Sequence, residues 1–224
     1  MSLKRKIRDI VFSAKKKSKE VKPDEEVLKV VEDIFNDSHT DSNRNDKKIT
    51  RDMNHIYYHN EVDRDSIFDL CNLIREVEED NMITSYKMHI DPIPIYLHIN
   101  SYGGSIFAAF AAIDCINACK VPIYTVIEGA VASAGTLISV FGKKRYICPH
   151  AHMLIHQLSS GFWGKMNEMD DEYKNLSQLM EKIVMIYKEN TKIPKKELQE
   201  LLKHDLWLNA EKALKYGLVD DIYQ

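Results

Sequence analysis

The stretch VPIYTVIEGAVASAGTLI (121–138) joins an apolar run directly to a set of small residues. Its first part, VPIYTVIEGA (121–130), is bounded by turn-forming residues and predicts a buried β-strand. Ser133 follows just beyond the end of this strand, where open parallel sheets bind their ligands. It is therefore either a turn residue whose hydroxyl bonds nearby backbone, or a nucleophile that small neighbours leave open to a substrate.

Strand-like and helix-like patterns alternate on both sides of this stretch. The further strand-like runs are HIYYH (55–59), PIYLHIN (94–100), KRYICP (144–149) and HMLIHQ (152–157). Apolar residues recur every three or four positions in two intervening segments and predict helices, the first with Ile67, Leu70, Cys71, Ile74 and Val77, the second with Ile106, Phe110, Ile113 and Ile116. This alternation is typical of crossover units on a largely parallel sheet. We predict one α/β domain over residues 53–224.

Residues 1–52 have a different composition. Residues 1–22 are rich in Lys and Arg, and residues 37–52 are almost wholly polar, which is typical of a linker or a long exposed loop. Between them VLKVVEDIF (27–35) has the spacing of a short amphipathic helix. We predict a charged, flexible N-terminal extension, and interpret its basic start as a solvated tail, with a partner arm or an organellar presequence as alternatives.

Composition narrows the class of protein further. The 224 residues carry a formal net charge of -3, which argues against a general nucleic-acid binder. No apolar run approaches the length of a membrane span, and no signal-peptide core follows the first methionine. The cysteines lack CxxC spacing, so we expect reduced core thiols and no metal site. A soluble cytoplasmic protein is expected, with an organelle matrix as the alternative.

Two further motifs lie at predicted strand ends. Gly103 and Gly104 in NSYGGS (100–105) form a strand-to-helix turn, either a simple tight turn or one that brings bare N–H groups close to a ligand. The nucleotide motifs GxGxxG and GxxxxGK[ST] are absent, as is the GxSxG of α/β-hydrolases. His156 in MLIHQ (153–157) lies at the end of an apolar run, either as a structural residue or as a base for Ser133. All three features fall on the same predicted sheet edge, which favours a catalytic site.

An acid that orients the imidazole is not chosen by spacing. The candidates are Asp170, Asp171, Asp205, Asp220 and Asp221. Asp205 is favoured because HDLWLNA (204–210) places it beside bulky apolar residues, where a buried carboxylate would need a partner; the alternative is that it caps or charges a local turn.

Residues 163–190 hold the longest periodic segment. The residues of its apolar stripe are Met166, Met169, Tyr173, Leu176, Met180, Ile183 and Tyr187. They predict an amphipathic helix of about six turns. The stripe either packs wholly on its own domain or partly faces another subunit.

Four stretches, in order, resemble the Clp protease proteolytic subunit (ClpP) family of serine peptidases. They are YLHINSYGGS (96–105), GAVASAGTLI (129–138), KKRYICPHAHMLIHQ (143–157) and DLWLNAEKALKYGLVDDI (205–222). The resemblance implies a crotonase-like αβ-superhelix, with residues 163–190 as its long handle helix. It also implies a catalytic triad of Ser133, His156 and Asp205, and an oxyanion hole made by the backbone N–H groups of Gly104 and Ala134.

The same resemblance implies how substrate and partners are bound. Substrate-binding residues would be Gly103, Ser105, Ser159, Ser160 and Gly161, the last three pairing with an extended peptide. Two stacked heptameric rings would enclose a chamber of fourteen subunits, in which unfolded proteins or peptides are cleaved. No cofactor is expected, and ATP would act only through a partner AAA+ unfoldase.

Departures from the family pattern keep other functions open. Tyr102 stands where the family usually has proline and Ser105 where it usually has an aliphatic residue, while residues 1–52 do not resemble the family's axial N-terminus. One alternative is a non-catalytic or modulatory subunit of a mixed ring. Another is acyl-CoA hydratase or isomerase chemistry that uses the Gly-Gly turn without a serine nucleophile.

Overall fold

The computed structural model describes residues 49–224, which form one mixed sheet with helices packed on it. The strands are Ile49–Asp52 (β1), His55–Tyr58 (β2), Ile95–Ser101 (β3), Ile123–Ala132 (β4), Lys144–Ile147 (β5), His152–Leu154 (β6), Leu208–Asn209 (β7) and Asp221–Ile222 (β8). The helices are Arg64–Met88 (α1), Ile106–Ala118 (α2), Ala134–Ser139 (α3), Met166–Asn190 (α4), Lys195–Leu201 (α5) and Ala210–Lys215 (α6).

The sheet runs in the order β1-β2-β3-β4-β5-β8, and its central pairings are parallel. Strand β4 is long enough for two partners along one side: its first half pairs with β5 and its end pairs with β6. Only β1 with β2 and β6 with β7 are antiparallel among the described pairings. The predicted alternation of strands and helices on a largely parallel sheet is confirmed.

Helix α1 shows how the pattern becomes a core. Its N-cap Asp63 accepts a hydrogen bond from the Ser66 N–H at 2.7 Å, and the Ser66 Oγ accepts one from the Asp63 N–H at 3.2 Å. Such a capping box fixes where a helix begins. Its predicted apolar face, which includes Leu70 and Ile74, is fully buried. The periodicity of the sequence therefore identified the packed face correctly.

The N-terminal end of the sheet begins earlier than the predicted domain. Strand β1 lies within the stretch predicted as a linker, and it pairs with β2, Ile49 opposite Tyr58. The division at residue 52 stays a prediction about domains. Residues 1–48, with the predicted helix at 27–35 and the basic start, lie outside the described residues.

Helix α4 buries only part of its predicted apolar stripe. Its buried residues are Ile183, Ile186 and Tyr187, near the C-terminal end. Near its start the side chains of Met166 and Tyr173 are 76% and 74% exposed. Its own domain therefore does not cover the whole stripe. Within residues 49–224, no helix is both long and apolar enough to cross a membrane.

Candidate active site

Ser133 joins the end of β4 to α3 in an unusual backbone conformation. Its φ of 54° and ψ of -126° lie in a region that residues with a side chain rarely adopt. The Ser133 N–H donates to the Leu154 carbonyl at 2.9 Å, and the Ser133 carbonyl accepts from the N–H and the Oγ1 of Thr136 at 3.0 and 2.6 Å. A strained conformation persists only where its surroundings determine it, and such residues cluster at functional sites.

The Gly-Gly turn packs directly behind Ser133. A Cβ on Gly103 would lie 2.6 Å from the Ser133 Cβ, and one on Gly104 would overlap the Val62 carbonyl. Both glycines have positive φ, 94° and 144°. The Val62 N–H donates to the Gly103 carbonyl at 2.8 Å, and the Ser105 N–H donates to the Val62 carbonyl at 2.6 Å. The turn is thus both tight and locked against the segment that precedes α1.

Two backbone donors are left free beside the Ser133 hydroxyl. Ala134 is the first residue of α3, so its N–H has no partner within the helix. In the part of the chain that the structure describes, neither this N–H nor that of Gly104 meets an acceptor. Free N–H groups beside a nucleophile are what a tetrahedral oxyanion requires. The structure therefore brings together the residues predicted for the oxyanion hole.

His156 reaches the same sheet edge through strand pairing. Because β6 runs parallel to β4, with Leu154 opposite Ala132, the residues that follow each strand emerge side by side. The Gln157 N–H then donates to the Leu202 carbonyl at 2.7 Å, which ties this segment to the end of α5. Asp205 follows three residues after Leu202.

The acid beside His156 is Asp205. Its Oδ1 lies 3.3 Å from the His156 Nδ1. Of the other candidates, Asp220 binds Arg145, whose guanidinium lowers the pKa of that carboxyl, and Asp171 pairs with Lys174 at 3.4 Å. Asn209, not Asp205, caps the following helix α6, its Oδ1 accepting from the Lys212 N–H at 3.0 Å. Contacts between segments distant in sequence thus bring Asp205 next to His156, which residue spacing alone did not predict.

The expected burial of Asp205 is wrong. Its side chain is 79% exposed, and Leu206 and Trp207 beside it are also exposed. The apolar neighbours do not enclose the carboxylate because the loop between α5 and β7 lies at the surface of the described chain.

Ser133 and His156 line one small pocket of about 60 Å³. Gly104, Ala134 and Ser159 also line it, with Leu137, Ile183 and Tyr187 on the apolar side. Within residues 49–224 the Ser133 hydroxyl makes no hydrogen bond to His156. Catalytic hydrogen bonds are often long without substrate.

Four of the five predicted substrate-binding residues lie outside this pocket lining. Ser160 and Gly161 follow Ser159 at the surface, and a Cβ on Gly161 would touch nothing within 4 Å. Ser105 caps α2, its Oγ accepting from the Ala108 N–H at 3.3 Å. Gly103 lies behind Ser133, as described above.

Tyr187 is a site residue that the sequence assigned only to an apolar stripe. Its hydroxyl and the Thr136 Oγ1 lie 2.6 Å apart in the buried floor of the pocket, and burial raises the pKa of this phenol. Because Thr136 also donates a hydrogen bond to the Ser133 carbonyl, Tyr187 supports the turn that contains Ser133. Its only sequence signal was a phenol hydroxyl within a helical apolar pattern.

The fold and this edge define a class: a crotonase-like α/β domain that places a serine, a histidine and an aspartate together beside free backbone donors. The family model described as Clp protease matches residues 58–224. The chain belongs to the Clp protease family.

Individual relatives agree with this membership. The chain is 38% identical over 131 residues to the ATP-dependent Clp protease proteolytic subunit 2 of Treponema denticola, covering 58% of this chain and 66% of that subunit. It is 33% identical over 155 residues to the corresponding subunit of Streptococcus suis, covering 64% of this chain and 79% of that one.

Among solved structures, a mutant of ClpP1 from Listeria monocytogenes matches with a TM-score of 0.64 and 26% identity, over 74% of this chain and 88% of that one. The matched regions of the first relatives span about two thirds of their own length, 66% and 64% for the Treponema and Deinococcus radiodurans subunits.

Proposed function

We propose that this chain is a serine endopeptidase subunit that cleaves unfolded proteins or peptides inside an oligomeric chamber. The observation that carries the proposal is the 3.3 Å approach of Asp205 to the His156 Nδ1, with His156 and Ser133 lining one pocket. Ser133 and His156 share the pocket with the two residues that carry free backbone donors, and Asp205 lies on the Nδ1 side of the imidazole. This is the set of groups that acyl transfer by a serine requires.

Each group has one role in the proposed reaction. Asp205 holds the Nδ1–H of the imidazole, which leaves Nε2 to accept the Ser133 proton as Oγ attacks the peptide carbonyl. The N–H groups of Gly104 and Ala134 stabilise the oxyanion. His156 then protonates the leaving amine, and a water activated by the same imidazole hydrolyses the acyl-enzyme.

Assembly into a chamber is part of the proposal. The exposed apolar residues at the start of α4 support a role of this helix in contacts between subunits, as a handle between two stacked heptameric rings. The relatives' names include the words ATP-dependent, whereas this sequence has no phosphate loop. We therefore assign ATP use to a partner AAA+ unfoldase and propose no cofactor in this chain.

A fluorophosphonate probe tests the chemistry directly, because it reacts with activated serines. The unaltered chain should form one adduct, located at Ser133 by peptide mass spectrometry. Ser133→Ala should abolish labelling and lower peptide cleavage by about 10³-fold or more. Ser177→Ala is the matched control, since that hydroxyl only binds the Tyr173 carbonyl of its own helix. Unlabelled Ser133 together with cleavage that survives Ser133→Ala would overturn the proposal.

Two observations favour a second candidate, a non-catalytic or modulatory ring subunit. The Asp205 carboxylate is highly exposed, and no hydrogen bond joins Ser133 to His156 in the described residues. A purified chain that forms a multi-subunit particle, binds peptide and leaves it intact would support this candidate. The acyl-CoA hydratase or isomerase alternative has no observation of its own beyond the Gly-Gly turn.

A further inference from the structure

We propose that Tyr102 and Trp207 act as positioning residues, an aromatic clamp that holds the Asp205 loop against the oxyanion turn. This inference rests on the proposed function. Their rings make an edge-to-face contact, with centroids 6.3 Å apart and planes at 86°. Aromatic pairs favour this arrangement because the positive edge of one ring meets the negative face of the other.

The Asp205 loop needs support beyond the contact of Asp205 with His156. One end is fixed where the Gln157 N–H binds the Leu202 carbonyl, and the other where Leu208 pairs with Met153. Between these points the backbone has no regular structure. A pair formed by an exposed carboxylate, such as that of Asp205 with His156, contributes little to stability. The pair alone therefore does not fix where the carboxylate lies.

The clamp connects this loop to the part of the site that is packed into the sheet. Tyr102 lies between Ser101, which is buried at the end of β3, and Gly103, which packs against Ser133. Trp207 lies two residues after Asp205 and directly before the buried Leu208. In the described part of the chain, no other ring contact reaches the oxyanion turn or the Asp205 loop. The contact thus transmits the position of the turn to the acid.

The rings of Tyr102 and Trp207 are too exposed to serve simply as core packing. Tyr102 is 75% exposed and Trp207 is 42% exposed, so neither ring is held by burial in its own domain. The alternative role for Tyr102 is direct contact with substrate. The two roles differ kinetically, because positioning of the acid affects kcat whereas a substrate contact of equal strength in ground and transition states affects KM.

Tryptophan fluorescence makes the contact measurable without any activity. The chain has two tryptophans, so Trp163→Phe leaves Trp207 as the only one. In this parent variant, Tyr102→Ala should shift the Trp207 emission to longer wavelength and increase its quenching by iodide. It should also lower kcat by about 3- to 10-fold, the factor that corresponds to one edge-to-face pair, with KM unchanged.

Two matched variants separate the ring from other effects. Tyr102→Phe keeps the ring and should restore both emission and kcat to the parent values. Tyr86→Ala removes another exposed tyrosine, at the far end of α1, and should change neither. In the unaltered tryptophan background, kcat of the double variant Tyr102→Ala/Trp207→Ala should be no lower than that of the worse single variant, because both changes remove one contact.

The outcomes distinguish this inference from the proposed function. A parent that cleaves peptide, with Trp207 emission unaffected by Tyr102→Ala, overturns the clamp alone. So does a raised KM with unchanged kcat, which makes Tyr102 a substrate contact. A parent that neither cleaves peptide nor reacts with the fluorophosphonate overturns the proposed function, and the positioning role with it. A lowered kcat, an altered emission and rescue by Tyr102→Phe together support the clamp.

Discussion

The two halves of the candidate site are built differently. The Ser133 half is part of the sheet: a strained residue at the end of β4 is held by Leu154 and Thr136 and backed by a glycine that tolerates no side chain. The Asp205 half is a surface loop that approaches His156 with one exposed carboxylate. The proposed nucleophile and oxyanion donors are therefore fixed by the packing of the sheet, whereas the position of the proposed acid depends on a few loop contacts. Changes in the sheet half should therefore affect stability and activity, and changes in the loop half activity alone.

The largest expected effect is the loss of peptide cleavage when Asp205, in the loop half of the site, is replaced. Asp205→Asn should lower kcat for peptide cleavage by about 10²- to 10⁴-fold, because an amide no longer favours the Nδ1–H tautomer or stabilises the imidazolium. The free energy of unfolding should stay within about 0.5 kcal/mol of the unaltered chain, since the side chain is exposed. Steady-state kinetics and urea unfolding give both numbers. Asp114→Asn, at an exposed aspartate on α2, is the control. A large loss of stability in Asp205→Asn would contradict the expectation that changes in the loop half affect activity alone.

The next effect tests the sheet half. Gly103→Ala places a Cβ 2.6 Å from the Ser133 Cβ at a φ of 94°. We expect the free energy of unfolding to fall by about 2 to 4 kcal/mol, together with a clear loss of activity. Thermal or urea unfolding measures the first. Gly161→Ala, where the new methyl meets open space, should leave stability unchanged. Equal stabilities for the two variants would show that the turn is not locked.

A smaller loss of stability is expected from a change in the floor of the pocket beneath Ser133. Tyr187→Phe removes a buried hydroxyl from the Thr136 Oγ1 but leaves Thr136 bound to the Ser133 carbonyl. The free energy of unfolding should fall by about 1 kcal/mol, the usual net value of one hydrogen bond. Urea unfolding at neutral pH measures it. A loss as large as that of Gly103→Ala would mean that the floor of the pocket, not the Gly-Gly turn, fixes Ser133.

The smallest expected effect comes from an ion pair outside both halves of the site, and it provides a reference for the stability changes within them. Arg145 donates hydrogen bonds to Asp220 and lowers the pKa of its carboxyl below the ordinary value of 3.8. A lowered folded pKa stabilises the protein above about pH 4, and this stability is lost as pH falls through the folded pKa. Asp220→Asn should cost at most about 1 kcal/mol at neutral pH, since the carboxylate is 43% exposed, and less as the pH drops below 4. Urea unfolding across this pH range checks it, and a loss that grows on acidification would contradict it.

The sequence predicts the Ser133 half better than the Asp205 half, because the contacts of the Asp205 half join segments that are distant in sequence. Strand and helix periodicity placed Ser133, His156 and the Gly-Gly turn at one sheet edge, because these residues directly follow strands. It did not choose Asp205, since that choice depends on the pairing of β6 with β7 and on the bond from Gln157 to Leu202, which join distant segments. The resemblance to the family supplied it. The exposure of Asp205 was predicted wrongly, because apolar neighbours in sequence do not determine which loops are covered.

Two other features were visible only in the structure. The sequence identified Tyr187 as part of a stripe, but its bond to Thr136 needs the end of α4 to cross beneath α3. The contact of Tyr102 with Trp207 joins residues about a hundred positions apart. Local pattern carries no information on such pairs, whereas it predicted the buried face of α1 because that face depends on residues three or four positions apart.

The proposed peptidase activity in an oligomeric chamber has one direct test. Peptide cleavage by the purified chain would be measured together with the mass of the particle that performs it. The chain would be separated by size, with light scattering giving the mass and a fluorogenic unstructured peptide giving the activity of each fraction. The expected result is that cleavage coincides with a multi-subunit particle and disappears in a Ser133→Ala particle of the same mass. A particle of that mass which leaves the peptide intact, or cleavage that persists in Ser133→Ala, would contradict it.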